Sequence, residues 1–126
     1  MHQVSIGLAI LLAVAIIAIG TQYVAAPRAA TRTFGLPLPG DDPNTASWLR
    51  LKGVRDIASG LTVLASLIYS GPPFAGLVLL SLAAIPVGDM LVVLAGNGSA
   101  KSAFGVHGVT AVVMILTGIS LVARAS

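Results

Sequence analysis

Two aspartates, an arginine, a lysine and a histidine interrupt segments that are otherwise almost wholly apolar. They stand in "KGVRDIASG" (52–60), "IPVGDM" (85–90) and "GVHGVTA" (105–111). Carboxylates accompanied by a guanidinium and an imidazole are residue types that carry out general acid–base chemistry. One carboxylate kept ionised beside an arginine, and another kept protonated by burial, could open an epoxide with water. The same pair would suit a proton-shifting isomerisation or a cyclisation. Asp56 and Asp89 are therefore the candidate acid and base. Arg55 is the candidate for orienting one carboxylate or binding a developing anion, with His107 assisting. Lys52, Gln22, Tyr23 and Trp48 are candidates for contact with the substrate.

The elements that must position these residues are membrane-spanning helices. Of the 126 residues, 56% are hydrophobic and 9% charged, and none is glutamate. A soluble domain carries roughly a quarter charged residues, so this chain cannot cover a water-exposed surface. Four hydrophobic runs, residues 4–25, 48–70, 73–95 and 102–122, are long enough to cross a bilayer as helices. The first is expected to be a retained helix rather than a cleaved signal, because no basic stretch precedes it. "SGPP" (70–73) and "GNGSAK" (96–101) are short turns, which imply antiparallel neighbours. The expected fold is all-α: a single domain forming an integral-membrane, up-down-up-down four-helix bundle.

The connection 27–53 is rich in Pro and Gly and is expected to be irregular rather than a regular element. Asp42 followed by Pro43 reads as an N-cap and first helical position. Arg28, Arg32, Arg50, Lys52 and Lys101 fall on one side of the four spans, whereas the side with both termini has Arg124. By the positive-inside rule the basic side is cytoplasmic and both termini face the non-cytoplasmic side.

Depth brings the polar residues together. At about 1.5 Å of rise per residue, Asp56 lies roughly 12 Å past Trp48, Asp89 roughly 10 Å before Gly96, and His107 roughly 8 Å beyond Ser102. Gln22 and Tyr23 end the first span at the same level. An Asp, Lys or Arg at mid-membrane costs about 2.5–3.5 kcal/mol, against about 0.3–0.6 returned by each Leu or Ile. Lys52 and Arg55 have stems long enough to snorkel to the headgroups. The short aspartates do not, so they must be buried in the bundle, paired or protonated. Gly53, Asp56 and Gly60 share one helix face, and Lys52 is one turn from Asp56; Arg55 points about 100° away. Pro86 should kink the third span and free the carbonyl of Leu82.

A second reading remains open for each group. The buried charges could be a structural ion-pair network in a non-enzymatic protein, such as a proton-coupled carrier subunit or a structural homo-oligomer. Gln22, Tyr23 and Trp48 are also the residue types that line a membrane interface. Asp56, Asp89 and His107 are too few ligands for a metal beside two cations, and no cofactor is expected. "GNGSAKS" lacks the glycine before Lys101 that a phosphate loop needs. The scattered basic residues, without interleaved aromatics, argue against nucleic acid as a partner. The absence of cysteine excludes thiolate chemistry. A lipophilic small molecule and membrane lipid are the expected partners.

On "RTFGLPLP" (32–39), "KGVRDIASGL" (52–61), "IPVGDMLVVL" (85–94) and "GVHGVTA" (105–111), the chain resembles the small four-helix membrane proteins catalogued as domain of unknown function 4267. The arginine–aspartate and glycine–aspartate pairs are the most specific parts of that resemblance. It implies a compact membrane fold and carries no activity with it.

Overall fold

The computed structural model describes residues 2–123, with no description of the His2 side chain, so Arg124 lies outside the described residues. Every regular element among them is helical. Helix α1 is His2–Ala25, α2 is Pro27–Ala30, and a 3₁₀ turn follows at Thr31–Thr33. Helix α3 is Pro43–Tyr69, α4 is Pro72–Leu82 and α5 is Ala84–Ala95. Helix α6 (Ala100–Ser102), a π turn at Ala103–Gly108 and α7 (Val109–Val122) form one rod.

Three of these units are long and apolar enough to cross a membrane: Gln3–Ala25, Pro72–Ala95 and Ala100–Val122. They mark an integral membrane protein. Arg50, Lys52, Arg55 and Asp56 lie in the first half of α3 and keep it out of that apolar class.

Local sequence explains the boundaries. The Asp42 carboxylate accepts from Asn44 N–H at 3.1 Å and Pro43 opens α3, the expected cap. The turn after α3 passes through Gly71 at φ 83°, a left-handed conformation suited to glycine. Between α4 and α5 the helix is interrupted at Ala83, because Pro86 has no N–H to offer the carbonyl of Leu82. The connection after α1 departs from expectation. Its first residues are helical, since Pro27 suits a first helical position and alanines follow; residues 34–42 are irregular. Arg28 holds this stretch by donating to Gly40 O at 2.8 Å and to the Asp41 carboxylate at 3.0 Å.

Helix α1 packs chiefly on α3, and α4 on α7; α3 also meets α4, and α1 meets α7. Ser5 hydrogen-bonds Ser120 at 2.7 Å, which sets the start of α1 against the end of α7. A core of Ala9, Ala13, Val63, Leu79 and Leu121 fills this end. At the opposite end α5 packs on the π turn and makes no substantial contact with α1 or α3. The helices are thus closed at one end and parted at the other.

Glycine sets the α1–α3 distance. A Cβ built on Gly53 would lie 2.5 Å from Gly20 O, and one on Gly60 would lie 2.6 Å from Ala13 O. Such approach is possible only without side chains. Gly53→Val is therefore expected to destabilise the protein by about 1–3 kcal/mol, through forced separation of the helices. Gly7→Val, facing open space, should leave stability within about 0.5 kcal/mol. Reversible unfolding in detergent measures both, and equal effects would refute the account.

Candidate functional site

Helix α3 supplies the first pair. Lys52 is one turn before Asp56, and its ammonium donates to Asp56 Oδ2 at 2.6 Å. The Asp56 residue is 4% exposed. Lys52 Nζ also lies 4.6 Å from the centre of the Tyr23 ring and 5.3 Å from that of Phe34, within cation–π range. Of the two courses open to Lys52, toward the headgroups or along the helix to Asp56, its side chain takes the second. A carboxylate one turn away and two aromatic faces hold its ammonium inside.

The π turn supplies His107. Val109 N–H reaches back five residues to Phe104 O, the wider coil that defines a π turn. His107 is buried within it, and its Nε2 is 2.8 Å from Phe34 O. A carbonyl oxygen only accepts, so Nε2 carries the hydrogen and donates it. The other ring nitrogen, Nδ1, lies 3.9 Å from Asp89 Oδ2. Asp89 comes from α5, in the second turn beyond the helix break. With Nε2–H given to Phe34 O, Nδ1 is the ring nitrogen that faces the Asp89 carboxyl group, and imidazole and carboxyl are both groups able to take up and give back a proton.

Both pairs face one cavity of about 250 Å³. Its polar side is formed by Lys52, Asp56, Asp89, His107, Gln22 and Tyr23. Its deeper walls are apolar, with Leu12, Ile16, Val63, Leu79, Leu82 and Met114. Ile19 of α1 and Ile85 of α5 also line it, yet are 43% and 41% exposed. Val106 of the π turn lines it as well and is 49% exposed, so the cavity is open to the surface among these helices.

Two candidates do not belong to the cavity. Arg55 is exposed, lines no part of it, and its guanidinium makes no ion pair among the described residues. At about 100° per residue, a neighbour of inward-facing Asp56 must face elsewhere. Trp48 is 65% exposed and also lies off the cavity. Tyr23, by contrast, is 3% exposed and so is no interface residue, while Gln22 sits at the cavity rim. Among the described residues no three His or Asp side chains converge as a metal-ligand set.

Sequence reasoning missed Phe34. The irregular connection folds over the parted end of the helices, where Gly35 O accepts from Ser99 N–H at 2.7 Å. Gly35 has φ 106°, and a Cβ there would lie 2.6 Å from Ser102 Cβ. The Phe34 ring lies 4.5 Å from that of His107, centre to centre. The signal was an aromatic followed by glycine inside "RTFGLPLP", a stretch that stood out without any role attached.

Together these features define a class: a small helical integral membrane protein with a polar cavity opening between its helices. The chain belongs to the family described as Domain of unknown function (DUF4267), whose model matches residues 13–121 and so includes every polar side chain of the cavity. No curated protein and no solved structure matches it.

Proposed function

We propose that the protein is a small integral-membrane enzyme that performs acid–base chemistry on a lipophilic substrate. The observation that carries this reading is the single cavity in which Asp89–His107 and Lys52–Asp56 face an apolar chamber. The Asp89–His107 pair transfers the proton. The Lys52 ammonium polarises an oxygen of the substrate, with Asp56 holding it in place. Opening of an epoxide by water, a proton-shifting isomerisation and a cyclisation all use this set. Arg55 has no part in the scheme.

In this reading α3 is a fourth span, and the whole is an up-down-up-down bundle. Its support is the antiparallel fit of α3 on α1 through Gly53 and Gly60, with the charge of Lys52 neutralised internally. Arg28, Arg32, Arg50, Lys52 and Lys101 gather at the parted end, which we assign to the cytoplasmic side, with the termini opposite.

The second reading, a structural ion-pair network in a non-enzymatic protein, is favoured by one observation: the direct 2.6 Å Lys52–Asp56 contact. Substitution separates the two. Asp56→Asn and Asp89→Asn should each abolish turnover of the true substrate while the protein still inserts and folds. Arg55→Gln should leave turnover unchanged. Full activity of both aspartate variants would refute the enzymatic reading.

A further inference from the structure

We infer that the substrate is a neutral lipophilic molecule whose reacting oxygen lies within its carbon skeleton, with an apolar arm on each side. The inference rests on the reading of the cavity as a substrate site. A second hollow of about 220 Å³ lies under the proline-rich connection, walled by Leu36, Pro37, Pro39 and Leu49. Tyr23, Phe34 and Lys52 line both this hollow and the main cavity. The two spaces meet at these three side chains, so polar groups separate two apolar chambers rather than closing off one. A molecule with a terminal head group would leave one chamber empty.

Charge sets the neutrality. Lys52 is already paired with Asp56, so an anionic group finds no free cation here, and the same ammonium repels a cationic one. A formal charge on the ligand would find no partner in a poorly solvated site. Hydrogen bonding sets the kind of oxygen. The ammonium has three donors, and one is used by Asp56. Tyr23 is 3% exposed and its hydroxyl makes no hydrogen bond among the described residues. Both are donors available to an acceptor such as an ether, epoxide or carbonyl oxygen. The ligand bridges the chambers beside Lys52, whose ammonium keeps its contact with Asp56.

The test uses the full chain in lipid nanodiscs and two isomeric twelve-carbon ketones, one with its carbonyl at mid-chain and one with it next to the chain end. The isomers partition alike into lipid, so a difference in affinity reports the fit to the protein. Titration is followed by the shift in unfolding temperature. The mid-chain ketone should bind about tenfold more tightly, because only it fills both chambers with its oxygen at the junction. Leu49→Trp, which fills the second hollow, should remove that preference and leave binding of the near-terminal ketone unchanged. Leu36→Phe serves as an independent variant with the same expectation.

Equal binding of the isomers by the native chain would overturn the inference alone. Binding of neither would overturn it together with the lipophilic-ligand reading. A retained preference in a protein that turns over no substrate would leave the inference standing and remove the enzymatic one.

Discussion

Asp89→Asn is expected to lower turnover by about 10²–10⁴-fold, the range over which a positioned acid or base contributes. The substitution is nearly isosteric, and among the described residues Asp89 has no ion-pair contact other than the His107 ring. An amide in its place still faces Nδ1 but cannot take up or return a proton. His107→Asn should cost a similar factor, and the double variant little more, because residues that act as a unit do not add. Helical content by circular dichroism should be unchanged in Asp89→Asn. The His107 variant also loses the hydrogen bond to Phe34 O, so its interpretation requires the same check. Additive losses would show two independent roles, and undiminished turnover in Asp89→Asn would remove the pair from the mechanism.

Lys52→Met should destabilise the protein by about 3–5 kcal/mol, the usual effect of removing one partner of a buried ion pair. The lost attraction matters less than the carboxylate left behind. Asp56 is 4% exposed, and Lys52 is the only cation bonded to it among the described residues. Joining Asp56→Leu to Lys52→Met should recover most of the loss, because a neutral pair of similar volume needs no solvation. The coupling free energy from the four-protein cycle should be about 2 kcal/mol or more, measured by reversible unfolding in detergent. A neutral Lys52→Met would mean that lipid headgroups or water satisfy Asp56 in the membrane, and the pair would then lie outside any closed site.

The two predictions address different halves of the cavity, and they differ in how far the sequence exposed them. Lys52 and Asp56 are one turn apart on one helix, so their contact follows from helical pitch alone. Pitch likewise turns Arg55 away from Asp56, although the "RD" doublet invites pairing the two. Asp89 and His107 lie on separate rods, and depth counting shows only that they reach the same level. Which ring nitrogen faces the carboxylate depends on Phe34 O, supplied from 73 residues away. No local pattern encodes that contact.

Apolar runs and their punctuation were enough for the all-helical class, the cap at Asp42, the turn at Gly71 and the interruption ahead of Pro86. Each depends on backbone preferences that act within one or two turns. Helix rise alone placed Gln22, Tyr23, Asp56, Asp89 and His107 at one level. Packing decided the rest: the lack of contact between α5 and helices α1 and α3, the π turn under His107, the folding of Phe34 across the open end, and the aromatic faces around the Lys52 ammonium. These outcomes depend on which surfaces meet after the helices have formed, and a side chain's choice between lipid headgroup, aromatic face and carboxylate is settled only by what those surfaces bring within its reach.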